Sequence, residues 1–501
     1  MATVLFSVAG AAIGGSVGGT LAGLSSVAIG RAVGATMGRL VDQRLLGQGG
    51  QAIETGKVDR FRITSAGEGD PIAQLYGRMR LGGHVIWASD FEETTATSGG
   101  GKGSRSQPST TEYSYSVSVA IALCEGEITR VGRVWADGEE VARDDLNMRV
   151  YIGAPDQLPD PLIEAIEGAG KVPAYRGTAY VVMESISLAP FGNRIPQFSF
   201  EVLRPEQPNA QGWEYTPAFG IEGAALIPGT GEYALATTPV NFETGTGAFK
   251  SANVSTPAGK PDFAVATEAM VEELPNLKAA SLVVSWFGDD LRCGECTIRP
   301  KVESTQQEAD NMPWFSSGLS RENAQVIVQD DNGRPIYGGT PTDASVVEAI
   351  QALKAVGTEV MFYPFILMDQ FVDNGLPDPY SDADNQPDLP WRGRITLSKA
   401  PGQPDSPDGT LLADEQVTAF FGTATAESFD VVEGEIVFIE EDEEETAGES
   451  EEQSGGEDGE EGEDAYEDNP ASWSFSRFIL HNAMLCSLAG GVEAFCIGSE
   501  M

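Results

Sequence analysis

The sequence predicts an α+β multidomain chain in three parts: a glycine-rich, apolar, helical segment over 1–50, a mainly β domain over 51–205, and an incomplete (β/α) barrel over 206–501 with an acidic, disordered insert at 440–468. Three observations lead there. No charged side chain occurs before Arg31. Alternation of period two runs from Tyr113 to Cys124 and is followed by further short apolar runs as far as Val202, the pattern of strands. From Ala280 to Asp369 a strand, a crossover helix and a strand recur with carboxylates at the strand ends, which is the rhythm of a (β/α) barrel.

At 501 residues the chain has room for ~2 to 4 domains and a sizeable core. Its net charge of −45 argues against a specific nucleic-acid surface, because phosphate contacts need clustered Lys and Arg. Part of that charge is local: 440–468 holds 17 acidic residues and no Lys or Arg, and the remainder is still acidic. Cys124, Cys293, Cys296, Cys486 and Cys496 are too few, and odd in number, for a disulfide scaffold. Cys293-Gly-Glu-Cys296 has no second pair at metal spacing, and His84 and His481 are the only histidines, so these read as loop thiols and no metal or cofactor is expected.

Met1 to Gly30 repeats Gly-x-x-x-Gly spacing through Gly10, Gly14, Gly15, Gly18, Gly19 and Gly23, which lets helices approach closely. A signal peptide would need a basic region before the apolar run, and none is present. Gly47-Gln-Gly-Gly50 breaks the pattern. Phe61–Thr64 then reads as a strand, and Thr94 to Thr111, rich in Ser, Thr and Gly, as a loop without secondary structure. Tyr113 to Cys124 is a half-buried strand; Arg130–Trp135, the Asp137-Gly138 turn, Thr178–Met183 and Pro196–Val202 continue the β segment. Pro205 to Pro228 looks like a linker, Tyr233 to Val240 a first barrel strand, and Phe263 to Leu274 its helix.

Ala280 to Phe287 is a short apolar run ending at Gly288-Asp289-Asp290, a buried strand that delivers carboxylates to a loop. Ala324–Gln329 and Pro335–Tyr337 flank Asn332-Gly333, a hairpin signal. Val346, Val347, Ile350 and Leu353 share a helix face, with Thr342 or Asp343 as N-cap and Gly357 as stop. Val360 to Leu367 is the next strand and ends at Asp369. Asp382-Ala-Asp384 lacks the glycine and closing Glu of a calcium loop and reads as a solvated Asp-rich loop. Leu411–Phe421 and Trp473–Leu488 are helical by periodicity, and Val492–Gly498 is a last strand. A complete barrel needs ~250 residues and eight strands, so the chain is expected to stop inside this domain.

Ser285-Trp-Phe-Gly-Asp-Asp-Leu-Arg292, Tyr337-Gly-Gly-Thr-Pro-Thr-Asp343, Tyr363-Pro-Phe-Ile-Leu-Met-Asp369 and Pro390-Trp-Arg-Gly-Arg-Ile-Thr396 resemble, in one order, the barrel-like domain of the tail-tip protein of gene transfer agents and related siphophages. Gly83-His-Val-Ile-Trp87, Trp135-Ala-Asp-Gly138, Tyr175-Arg-Gly-Thr-Ala-Tyr180 and Phe191-Gly-Asn-Arg-Ile-Pro196 are similar to the N-terminal, tail-hub part of the same proteins. The resemblance implies a virion protein of the tail tip, a baseplate hub and host-specificity subunit with a glycoside-hydrolase-like TIM barrel. It implies a homotrimer whose partners are other tail-tip, distal tail and tape-measure proteins. The uncharged length and Gly-x-x-x-Gly faces of 1–30 themselves suit a bundle of copies inside the tip, which either makes host-envelope membrane contact on DNA delivery or only pins the tip.

A structural role, closing the tail tube and opening for DNA, is therefore the expected function. The alternative is a cell-wall glycoside hydrolase. That chemistry needs two carboxyl groups ~5 to 10 Å apart at strand C-termini, and Asp289, Asp290, Asp369 and Glu500 are the candidates. Catalysis is not expected, because fold does not imply function. Neither 98–108 nor 440–468 has enough apolar side chains to offset the entropy of ordering. Limited proteolysis of the purified chain should therefore cut first within these two stretches; first cuts elsewhere, with both left intact, would refute this.

Overall fold

The structure, a computed structural model, describes residues 71–98, 110–204, 216–229, 231–245, 247–439 and 472–498, and short strands at 20–21, 24–25 and 53–55. The chain is mixed α+β, dominated by strands, and divides into two compact units: 1–222 with 243–276, and 223–242 with 277–501. The helical reading of 1–50 lies outside the described residues except at Thr20–Leu21 and Leu24–Ser25, which pair as a short antiparallel ladder instead. The expected strand at 61–64 and the acidic insert are outside the described residues.

The first unit is built on two sheets. Its strands are β1 (Gly77–Gly82), β2 (His84–Ala88), β3 (Glu92–Ser98), β4 (Thr110–Glu125), β5 (Arg130–Ala136), β6 (Glu139–Val141), β7 (Met148–Tyr151), β8 (Thr178–Ser187) and β9 (Phe198–Arg204). One sheet is ordered β7-β8-β4, with β2 and β3 also pairing antiparallel to β4; the other is β1-β9-β5-β6. The stretch read as a loop over 94–111 supplies strand at both ends, Ser98 pairing with Thr110. Its β-branched threonines favour the extended chain once β4 offers a partner.

The strand expected to be half buried, β4, is buried on both faces. Val117, Val119, Ile121 and Leu123 pack with Val131, Val134, Phe200 and Val202 of the other sheet. Ala120 and Ala122 pack on the opposite face with Ile163, Tyr180 and Val182. Small residues on that face read as solvent-facing in the sequence, whereas they leave room for α1 (Pro161–Glu167), which Asp160 caps by accepting from the backbone N–H of Leu162 and Ile163. The Asp137-Gly138 turn forms with both residues at positive φ. α2 (Asp262–Glu273) also belongs to this unit, and its Glu272 and Glu273 pair with Arg130.

The second unit carries a sheet whose parallel strands lie in sequential order, β10 (Gly223–Gly229), β11 (Ala279–Gly288), β12 (Glu359–Met368) and β13 (Ala494–Phe495), with Ile298–Arg299 added antiparallel to β11. β11 and β12 pair over ten residues, from Ala279 opposite Glu359 to Gly288 opposite Met368. α3 (Asp343–Ala355), with Thr342 as N-cap, α4 (Leu411–Phe421) and α5 (Phe475–Leu488) follow the helical periodicity closely. α5 starts two residues later than read because Ser474 caps it, its side chain accepting from the Arg477 N–H.

One reading is corrected. The first strand of the sheet is not 233–240, which is turn and bend, but 223–229, within the stretch taken for a linker. Pro228 and the flanking glycines hide that strand, while Tyr233, Leu235 and Val240 are apolar because they are buried in irregular chain. The hairpin expected at Asn332-Gly333 forms, with Gln329 antiparallel to Pro335, the Asp330 N–H donating to the Arg334 carbonyl and the Ile336 N–H to the Val328 carbonyl, while Gln325–Val326 before it pairs in parallel with Lys301–Val302.

Gly82 and Gly83 separate two demands on the chain. A Cβ at Gly83 would lie 2.2 Å from Ile121 Cγ2 and 2.7 Å from the Ala122 carbonyl oxygen, whereas at Gly82 the nearest atom is 3.9 Å away. Gly83→Ala should cost about 1–3 kcal/mol in urea unfolding, as overpacking does, and Gly82→Ala should cost far less. Equal losses would contradict this packing.

Candidate functional site

Because β11 and β12 run parallel and in register, their C-terminal loops emerge side by side, and the Asp369 N–H donates to the Gly288 carbonyl at 2.8 Å. Asp289, Asp290 and Asp369 are thereby brought to one end of the sheet. Glu500 lies outside the described residues.

Each of the three carboxylates is held by neighbours. Asp289 accepts from the Thr297 backbone N–H at 2.7 Å and from its hydroxyl at 2.6 Å. Asp290 is buried; Arg292 Nη2 donates to its Oδ2 at 2.6 Å, and its Oδ1 also accepts from the Arg292 N–H and from Gln386 Nε2, each at 2.7 Å. Gln386 Oε1 in turn accepts from the Leu291 N–H at 2.9 Å and from Gln370 Nε2 at 2.7 Å. Two glutamines thus clamp the loop after β11 to the loop after β12.

Asp369 is the most enclosed of the three. Lys301 Nζ donates to it at 2.8 Å, and the Val328 N–H at 3.0 Å. Both partners of this ion pair are buried. Burial pushes the Asp369 carboxyl above the usual carboxylate range; Lys301 opposes the rise and the charge of Asp289 adds to it.

A second polar centre lies in the same unit. Arg321, buried, donates to Glu232 at 2.6 and 3.0 Å, to Glu308 at 3.2 Å and to the Tyr233 hydroxyl at 3.0 Å. Gly339 has to be glycine beside it, since a Cβ there would lie 2.5 Å from Glu232 Cγ. Asp343 at the start of α3 accepts from the Ser317 N–H at 3.3 Å and meets His481 Nε2 at 3.1 Å, and the His481 ring lies 5.2 Å from that of Trp286.

The four motifs of this unit therefore meet in space. Leu291 and Cys293 exchange backbone hydrogen bonds with Thr396, at 2.8 and 2.6 Å. Arg392 Nη2 donates to the Tyr363 hydroxyl at 3.1 Å and stacks 3.6 Å from the centre of Phe365. Tyr337 and Phe287 rings are 6.0 Å apart. Sequence reasoning found Asp289, Asp290 and Asp369 but missed Lys301, Gln370, Gln386, Glu232 and Arg321, whose partners are remote in sequence and leave no local signal. Cys293 and Cys296 are buried free thiols, and burial raises both. Among the described residues no cluster of His, Cys, Asp and Glu is arranged to hold a metal ion.

Residues 473–501 match the model of the family described as GTA TIM-barrel-like domain. Among solved structures, the chain is similar to a protein of the virion of a native gene transfer agent particle. The two are 51% identical over 42% of this chain and 45% of that one, with a TM-score of 0.27. The chain spans less than half the length of that relative. No curated protein matches it. The resemblance to gene transfer agent proteins carried by the motifs is thus borne out in sequence.

The Asp369–Lys301 pair makes a prediction about stability. Lys301→Met strands a buried carboxylate and should cost about 3–5 kcal/mol at pH 7 in urea unfolding. An unfolded Asp titrates near 3.8 and the folded Asp369 above it, so the folded state binds the proton more tightly, and more so without Lys301. The cost should accordingly grow as pH rises above about 4 and shrink as pH falls towards it. A loss independent of pH would mean that the lysine acts through packing alone.

Proposed function

We propose that this chain is a structural subunit of the tail tip of a siphophage-like or gene transfer agent particle, a baseplate hub protein that closes the tail tube and takes part in host contact and DNA delivery. The observation that carries this reading is the family match over 473–501, the stretch that contains α5 and β13. In this reading the sheet β10-β11-β12-β13 is the opening part of a TIM-barrel-like domain, its strands adjacent in chain order as barrel strands are. The first unit is the tail-hub domain, and the partners are the other tail-tip proteins and further copies of the chain as a trimer. The charge of −45 suits a tube lining to which DNA does not adhere.

The carboxylates support structure over catalysis. Asp289 closes its own loop on Thr297, Asp290 is spent on Arg292 and on Gln386 of another loop, and Asp369 on Lys301 and the Val328 N–H, so all three are committed to holding chain segments in place. One observation favours the hydrolase: the raised carboxyl of Asp369 is the property a general acid needs.

Electron microscopy of particles carrying a tagged copy should place the tag at the tail tip; labelling of the capsid or along the tube would overturn the assignment. Full-length protein incubated with purified peptidoglycan should release no glycan fragments. Robust release that Asp369→Asn abolishes would move the function to the hydrolase.

A further inference from the structure

Four described arginines of the first unit meet no carboxylate, and three of them, Arg143, Arg176 and Arg204, donate to backbone carbonyls instead. Among the described residues of that unit, Arg78, Arg130, Arg133, Arg149 and Arg194 all sit on carboxylates. Arg80 instead donates from Nε to Ser199 Oγ at 2.9 Å and lies flat on Trp135, 4.0 Å from the ring centre. Its two terminal nitrogens meet no acceptor among the described residues, in a chain where 76 acidic residues compete for 31 basic ones. They line a cleft of about 410 Å³ with Gly82, Asp137, Arg194, Phe198 and Ser199. The stacking and the single hydrogen bond pre-orient the guanidinium, so a carboxylate that met its free edge would lose little conformational entropy in binding.

Arg80 is also on an edge. Among the described residues β1 pairs with β9 and with no other strand, so one side of its backbone offers N–H and C=O groups to a further strand. The strand is exposed along most of its length, and Met79, on the opposite face from Arg80, is 60% exposed.

We propose that β1 is a docking edge for an extended, acidic segment of a partner protein, which adds to the sheet as a strand and sets an Asp or Glu on Arg80. Strand addition supplies main-chain hydrogen bonds, and the side chain over Arg80 supplies selectivity. β1 of a second copy is a poor occupant, because it would bring Arg78 and Arg80 of two chains together, and like charges across a strand pair repel.

The test uses the whole chain and the synthetic peptide (Glu-Val)5, followed by calorimetry and by Trp fluorescence. (Glu-Val)5 should bind at least tenfold more tightly than (Lys-Val)5. Arg80→Glu and the milder Arg80→Gln should each weaken it at least tenfold without changing the melting temperature, while Lys171→Glu, an exposed change elsewhere in the unit, should leave it unaltered. A (Glu-Val)5 peptide N-methylated at alternate residues should lose binding, since it cannot join the ladder. The proposal is overturned by equal affinity for the acidic and basic peptides, by retained affinity in both Arg80 variants, by full binding of the N-methylated peptide, or by self-association of the chain that the Arg80 variants abolish.

Discussion

The ten-residue parallel pairing of β11 and β12 is the constraint on which the second unit depends. Parallel strands need a covered crossover, so the chain between them has to place a helix against the sheet, and α3 does so with Val346, Ile350 and Leu353 fully buried. The same register sets Gly288 beside Met368, and with them the two loops that carry Asp289, Asp290 and Asp369. Once those loops are neighbours, their polar groups have to satisfy one another. Gln370 and Gln386 perform that service, since an unpaired buried donor costs about 1–3 kcal/mol.

Charge is managed in this unit by enclosing it in pairs. Asp369 with Lys301, Glu232 with Arg321, and Arg477 over the rings of Trp473 and Phe438 are all taken out of water. Desolvating such groups is expensive, and apolar residues of the same shape would serve stability at least as well. Geometry is what these pairs add. Arg321 reaches Glu232, the Tyr233 hydroxyl and the Ser304 carbonyl at once, which registers three irregular segments that no sheet or helix would hold. Arg477 does the same between α5 and the loop at Ser317.

Elements with a strong period were legible from sequence. β11, β12, α3, α4 and α5 stand within two residues of their expected bounds, because each presents a continuous apolar run or a clear apolar face. β10 was not legible: Pro228 and two glycines carry loop chemistry, and only β11 beside it makes the segment extended. The strand ends at 94–98 were missed for the same reason, being polar residues ordered by a neighbour. At the site the carboxylates could be seen at strand ends, but their use could not. Whether Asp290 is a free acid or a tie depends on Arg292, two residues away and readable, and on Gln386, 96 residues away and not.

The length of β4 has a mechanical consequence. Its sixteen residues span about 50 Å, and different stretches of it are gripped by β2, β3 and β8, all antiparallel to it. A pull along such a strand loads many ladder hydrogen bonds together rather than opening them one by one. The first unit is thereby stiff along one axis: tension applied at the two ends of β4 is shared by three neighbours before any single bond can fail.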